Sequence, residues 1–146
     1  MLHLAEFVAL VCTGLFAGAA VYVNVAEHPA RLGCDTRAAL AQWAPSYARA
    51  TRMQAPLAII GLLAGCAAWW LGGGTVWLAA GILLGAVVPV TLLVIMPTNR
   101  ALLAPSRDPA SPDTRELLLH WGRLHALRST LSLAALLLLA WEAARP

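Results

Sequence analysis

The sequence contains no lysine and few charged residues of any kind. All ten basic residues are arginine, and charged residues make up only 12% of the chain, against about 25% in soluble domains. Hydrophobic residues make up 60%, and the mean hydropathy is +0.73. This composition argues against a soluble enzyme, a disordered tail and a secreted disulfide scaffold. It indicates an integral membrane protein.

Two further absences argue against particular functions. The net charge is +3, yet no basic run or polar domain is present to bind a nucleic acid. Cys12, Cys34 and Cys66 form no CxxC pair, and a disulfide-exchange enzyme of the membrane needs two neighbouring thiols. We therefore predict neither nucleic-acid binding nor disulfide exchange.

Four apolar segments approach the length that a bilayer requires, about 17–25 residues. They run from Leu4 to Val25, from Ala55 to Leu71, from Val76 to Met96 and from Leu124 to Trp141. The sequence predicts an all-α fold, a transmembrane four-helix bundle that forms a single domain over residues 1–146. Between Asp35 and Arg52, apolar residues are spaced by three and four. This spacing predicts a short amphipathic helix that lies on the membrane interface and connects the first two spans.

Prolines and glycines mark the expected ends and contacts of these spans. Pro29 and Pro97 predict that the first and third spans end near Glu27 or His28 and near Met96, and Pro89 predicts a kink in the third. Glycine pairs let helices approach closely in a membrane. They are Gly14/Gly18, Gly61/Gly65 and Gly81/Gly85. A pair that faces outward could serve dimerisation, so a homo-oligomer is left open.

The arginines are distributed unevenly between the loops. Residues 72–75, between the second and third spans, carry no charge, whereas each of the other two loops holds four arginines. Positive loops stay cytoplasmic, so we expect both long loops to be cytoplasmic and both termini to lie outside. Tryptophans near the opposite surface are expected to act as interface anchors: Trp69, Trp70, Trp77 and Trp141.

Polar side chains gather at the ends of the spans that face the long loops. Trp121, His125 and Arg128 share one face of a helix, and an arginine within an apolar stretch should face the bundle interior. The candidate catalytic residues are Glu27, His28, Asn99, His125 and Arg128. The candidate substrate-binding residues are Trp43, Tyr47, Arg49 and Trp121.

These residues are compatible with three kinds of chemistry. Glu27, His28 and His125 could bind a metal, copper or iron, at a site with open positions for oxygen. A histidine could instead remove a proton from an acidic carbon, with Arg128 and Asn99 stabilising the resulting enolate. A haem held between His28 and His125 is the weaker cofactor candidate.

Four short motifs, taken in order, are similar to the anthrone oxygenase-like family of small four-span membrane proteins. They are Glu27-His28-Pro29-Ala30-Arg31, Trp43-x3-Tyr47-x-Arg49-Ala50, Pro97-x-Asn99 and Trp121-x2-Leu124-His125-x2-Arg128. The resemblance implies a four-helix transmembrane bundle. It also implies an activity like that of the fungal members, which oxidise an anthrone to an anthraquinone with dioxygen, and it carries over the five candidate catalytic residues.

We therefore expect a membrane oxidoreductase of the oxygenase type. Its partners would be membrane lipid, dioxygen and a flat, lipophilic, phenolic or polyketide-like substrate that arrives from the bilayer. Two alternatives stay open. One is a non-catalytic metal- or haem-binding bundle that carries electrons or senses a ligand. The other is a structural subunit of a membrane complex, in which the polar cluster is an internal clasp.

Overall fold

Four long helices make up the computed structural model, which describes residues 1–145. The helices are α1 (Leu2–Leu32), α2 (Thr36–Gly73), α3 (Thr75–Leu102) and α4 (Pro112–Ala143), and each is long and apolar enough to cross a membrane. Over residues 1–145 there is no β-strand. The predicted all-α class with four spans is confirmed, and the chain is a multi-pass membrane protein.

The helices pack in chain order around the bundle. Helix α1 packs against α2 and α4, and α3 packs against the same two helices from the opposite corner. One hydrophobic cluster, which includes Phe16, Trp77 and Leu139, fills the half nearer the termini. A second cluster, which includes Trp43 and Trp121, fills the half nearer the long loops.

The predicted interfacial helix between spans one and two is not a separate element. Its residues are helical, but they form the first half of α2, which continues as an unbroken α-helix from Thr36 to Ala68. Pro45 and Pro56 lie inside this helix without ending it. Trp43 is fully buried in the bundle rather than at a membrane surface, and this burial holds the segment in line with the rest of α2.

The predicted ends of spans one and three are wrong. Helix α1 continues through Pro29 to Leu32, and α3 continues through Pro97 to Leu102. In both helices a π-helical turn comes just before the proline: Val23–Glu27 in α1 and Thr91–Ile95 in α3. A π-helical turn shifts the local hydrogen bonds and so accommodates a residue that has no N–H.

The α-helical hydrogen bonding of α3 is interrupted close to Pro89, where the sequence predicts a kink. Its first regular segment ends at Gly85, and a second begins at Val87. Close helix approach is confirmed for α2 and α3, because a Cβ atom built on Gly65 would lie 2.7 Å from the carbonyl oxygen of Trp77. The pair in α1 differs, since Gly18 has no neighbour within 4 Å of such an atom.

One of the four tryptophans that were expected to anchor the membrane interface is buried inside the bundle instead. Trp70 and Trp141 are 81% and 72% exposed, as anchors should be, and Trp69 is also exposed, whereas Trp77 is only 4% exposed. The Trp77 backbone lies against Gly65, and its indole belongs to the cluster nearer the termini. Close approach of α2 and α3 therefore encloses a side chain that would otherwise face lipid.

Candidate active site

Polar side chains from α1, α2, α3 and α4 are buried at the long-loop end of the bundle. Those with 8% exposure or less include His28, Arg31, Gln54, Asn99, His125 and Arg128. Burial of a polar group in an apolar environment is costly unless the group is hydrogen-bonded. The hydrogen bonds of each group therefore indicate which side chains are structural and which are available to a ligand.

His125 has one ring nitrogen engaged and one free. Its Nδ1 lies 2.8 Å from Oδ1 of Asn24, while Nδ2 of Asn24 donates to the carbonyl of Gly122 at 3.0 Å. The second bond orients the Asn24 amide, so His125 must donate from Nδ1. Its Nε2 then carries a lone pair, and it makes no hydrogen bond to residues 1–145. This is the form of histidine that a general base requires.

Arg128 is a buried cation without a carboxylate partner. Its Nη2 donates to Oε1 of Gln54 at 2.5 Å, and its guanidinium lies 5.3 Å from the ring centre of Phe16. The ion pairs formed within residues 1–145 all involve other side chains. The Nε of Arg128 is buried and has no partner in this part of the chain. An anionic ligand would supply the missing charge.

Arg128 lines a cavity of about 130 Å³ between the helices. The walls are mainly apolar and include Phe16, Ala58 and Val87. The cavity also touches Thr51 and Leu92, which lie on α2 and α3 and are exposed on the lipid-facing surface. The opening between α2 and α3 would therefore connect the buried arginine with the bilayer.

A smaller chamber of about 20 Å³ adjoins this cavity. The two spaces share Tyr47, Thr51 and Arg128, and the chamber alone reaches His125. A group held at the shared boundary would therefore have Arg128 beside it and His125 on its inner side.

The aromatic residues predicted to bind substrate form one stack in this region. The rings of Trp43 and Tyr47 are parallel with centres 5.2 Å apart, and Trp121 meets Trp43 edge-on at 5.7 Å. Trp121 in turn lies 4.9 Å from the His125 ring. Arg49 is not part of this arrangement, because it is exposed on the outer surface of α2 in a separate shallow groove.

His28 and Glu27 belong to a polar network that joins the helices. The His28 Nε2 donates to the carbonyl of Leu118 at 2.9 Å, and Nδ1 accepts from Arg31 at 3.0 Å. Glu27 accepts hydrogen bonds from Arg31, Ser46 and Gln42. We call Glu27, His28, Arg31, Gln42 and Ser46 the clasp. With both ring nitrogens engaged, His28 is not available as a base.

Asn99 also lies away from the cavity. Its Oδ1 accepts from the indole Nε1 of Trp121 at 2.9 Å, and it lines neither the cavity nor the chamber. Its position supports an orienting role towards Trp121 rather than contact with an anionic oxygen.

The structure does not gather the side chains that were considered as metal ligands. Among residues 1–145, no group of three or more His, Cys, Asp and Glu side chains is placed to hold a metal ion. Both ring nitrogens of His28 and Oε1 of Glu27 are hydrogen-bonded within the clasp, whereas Oε2 of Glu27 and Nε2 of His125 make no hydrogen bond to the described residues. The three residues are therefore not gathered as a three-ligand site, and the binding of copper, iron or haem stays a prediction.

Sequence reasoning missed the roles of Asn24, Arg31 and Gln54. Asn24 orients His125, Arg31 holds the clasp together, and Gln54 anchors Arg128. The available signal was a polar residue within or beside an apolar span, because such residues face partners inside the bundle. Which partner each one meets depends on helix rotation, and sequence spacing does not give that across helices.

Comparison with known proteins identifies the family. The model of the anthrone oxygenase family matches residues 43–138, which include Trp43, His125 and Arg128 but not His28. An anthrone oxygenase of Aspergillus fumigatus is 39% identical over 61 residues, and the match covers 40% of this chain and 38% of that relative. The match thus spans well under two thirds of the relative's length, and no solved structure matches the chain. Because the family model matches more than half of its residues, the chain belongs to the anthrone oxygenase family.

Proposed function

We propose that this protein is a membrane oxygenase for a flat, lipophilic phenol, of which an anthrone is the example that the relative's name supplies. The observation that carries the proposal is the pairing of His125, with a free Nε2, and Arg128, a buried cation without a carboxylate. Both line the chamber that adjoins the lipid-facing cavity. A base next to a fixed cation is suited to forming and holding a carbon acid's anion.

The substrate enters from the bilayer, between α2 and α3. The cavity of about 130 Å³ is close to the roughly 150 Å³ of an apolar cavity that binds benzene. It therefore holds the reacting edge of a fused-ring molecule while the remainder stays in the opening. Phe16 and Tyr47 provide flat apolar walls for the ring, and Arg128 donates to its oxygen.

In the first step, Nε2 of His125 takes a proton from the methylene carbon of the substrate. The electron pair left on carbon delocalises onto the carbonyl oxygen of the substrate, where the Arg128 guanidinium stabilises the negative charge. Stabilisation of charge that develops during the reaction by a prearranged cation is among the largest contributions to catalysis.

Dioxygen then oxidises the anion. The carbon electron pair forms a bond to one oxygen atom, and the distal oxygen takes the proton from His125 to give a hydroperoxide. Removal of the second methylene proton by His125 forms the carbonyl and breaks the O–O bond. The distal oxygen leaves as hydroxide and takes up that proton to become water. One oxygen atom of dioxygen enters the product, and the other is reduced to water.

The test is His125→Gln in purified, membrane-reconstituted protein, with anthrone as the substrate and oxygen uptake as the measurement. Because general-base catalysis contributes about 10²–10⁴-fold, we expect kcat to fall by that factor. His120→Gln is the matched control, since His120 is an exposed histidine on the same helix and its replacement should leave kcat unchanged.

Two results would count against this assignment. Equal loss of folding and activity in His125→Gln, measured by thermal unfolding, would favour the structural-subunit alternative. Activity that a chelator removes and copper or iron restores would favour the metal-binding alternative, and elemental analysis of the purified protein would then give the metal content.

A further inference from the structure

The chamber next to His125 differs from the cavity in size and in the polarity of its walls. Both spaces have largely apolar walls, but the chamber also has polar groups from three helices in its lining, including Arg31, Ser46, Gln54, His125 and Arg128. A volume of about 20 Å³ exceeds the roughly 10–15 Å³ that one water molecule needs by this measure. The chamber thus has room for one small molecule and excludes an aromatic ring.

Apart from Nε2 of His125, the unpaired polar atoms around the chamber are hydrogen-bond donors. Buried side-chain atoms that have no partner in residues 1–145 are Nε1 of Trp43, Nδ2 of Asn99 and Nε of Arg128. All three carry N–H groups, and two of the three residues, Trp43 and Arg128, line the chamber. Trp43 is 0% exposed and Arg128 is 8% exposed, so bulk water does not satisfy these donors.

Charge indicates the same class of ligand. Arg128 and Arg31 both line the chamber, but the one carboxylate close to them, Glu27, is paired with Arg31 and lines neither space. An unpaired buried N–H is costly, and an uncompensated buried cation is costlier still. A small anion that accepts hydrogen bonds would relieve both costs.

We infer that the chamber is a binding site for a small oxygen anion, namely the distal oxygen of the peroxide that forms when dioxygen is reduced. The inference rests on the proposed function and adds a second site to it. The organic substrate occupies the cavity, and the distal oxygen of the peroxide formed on its carbon projects past Tyr47 and Thr51 into the chamber. There the N–H groups of Trp43 and Arg128 stabilise the negative charge until His125 returns a proton and the hydroperoxide forms.

The assignment can be tested without turnover, with azide as a thin anionic probe. The protein is labelled with 5-fluorotryptophan and reconstituted in nanodiscs, and Trp43→Phe identifies the ¹⁹F resonance of Trp43. We expect azide to shift this resonance in a saturable way, while that of Trp70, 81% exposed, serves as the internal control. His125→Gln should retain the azide-dependent shift, and Arg128→Gln should weaken azide binding at least tenfold.

A kinetic measurement complements the titration. In Trp43→Phe protein that remains folded by thermal unfolding, the KM for dioxygen should rise severalfold, while the KM for anthrone stays within twofold of the wild-type value. The anion site would be overturned if azide did not shift the Trp43 resonance, or if azide shifted it equally in Arg128→Gln. The chamber would then hold water instead of an anion. Azide binding together with no oxygenation of anthrone would uphold the site and contradict the proposed function.

Discussion

At the scale of single residues, Asn24 determines which nitrogen of His125 can act as a base. Its amide donates to the Gly122 carbonyl and presents its oxygen to His125, so the imidazole proton stays on Nδ1. Ser129 also donates to the Asn24 oxygen, at 2.5 Å. The chemistry assigned to α4 therefore depends on a polar residue of α1 that touches no part of the cavity.

Asn24→Leu removes this acceptor with little change in side-chain volume. We expect kcat to fall severalfold, because the Nδ1 proton is no longer held and Nε2 becomes protonated in part of the population. The ¹⁵N chemical shifts of labelled His125 would report this change of tautomer, which a merely structural role would not produce. Ser129→Ala, which removes a neighbouring bond to the same oxygen, is the control and should keep the wild-type tautomer.

Gly122 packs directly against the ring of His28, which leaves no room for a side chain. A Cβ atom at this position would lie 2.6 Å from Cδ2 and 2.7 Å from Nε2 of His28, and the His28 ring is held at both nitrogens. Gly122→Ala should therefore destabilise the fold by about 1–3 kcal/mol. Thermal unfolding in detergent would show a lowered Tm. Gly18→Ala, where the added atom meets nothing within 4 Å, should not lower it.

The sequence predicts the composition of the site better than its pairing. Arg128 and His125 were identifiable because a polar residue inside an apolar span must face the bundle interior, and Trp121 follows from helical spacing. The engagement of His28 by Leu118 and Arg31 was not identifiable. It depends on how far α1 continues past Pro29, and local conformational preference predicts the opposite.

At the scale of helices, the π-helical turns before Pro29 and Pro97 have a positional effect. Asn24 lies within the turn Val23–Glu27 and bonds to His125, whereas His28 follows the turn and bonds to Leu118, nearer the start of α4. An extra residue in a turn rotates the side chains that follow it, and such turns are frequent at functional sites. Helix number and order were predictable from hydropathy, whereas these local rotations depend on tertiary contacts.

The close contact of α2 and α3 lies in the half of the bundle near the turn that joins them. A Cβ atom on Gly65 would lie 2.7 Å from the Trp77 carbonyl oxygen and 3.0 Å from Cα of Gly81, and neither backbone atom can move away alone. Gly65→Ala should force the two helices apart, lower the Tm and reduce the yield of folded protein. Gly14→Ala, where the nearest atom is a side-chain carbon at 3.7 Å, is the control. An unchanged Tm in Gly65→Ala would contradict the tight contact.

At the scale of the whole molecule, the bundle has one polar end and one apolar end. The buried arginine, histidine and amide side chains lie towards the two arginine-rich loops. The tight turn between α2 and α3 uses Gly72 and Gly74, whose φ angles of 95° and 93° favour glycine. Each arginine that stays cytoplasmic contributes to the orientation of the chain. We therefore predict that the chamber lies towards the cytoplasm and that the substrate enters from the bilayer near that face.

Cys34 is a native reporter for this orientation. It is an exposed free thiol in the loop between α1 and α2, whereas Cys12 is buried and Cys66 partly so, and both lie within the membrane-spanning helices. A membrane-impermeant maleimide should therefore label the protein in inverted vesicles and leave it unlabelled in intact cells. Cys34→Ser combined with Thr75→Cys moves the thiol to the opposite turn and should reverse both results, since Thr75 is exposed there. Labelling of Cys34 in intact cells would place both long loops, and with them the chamber, on the outer side of the membrane.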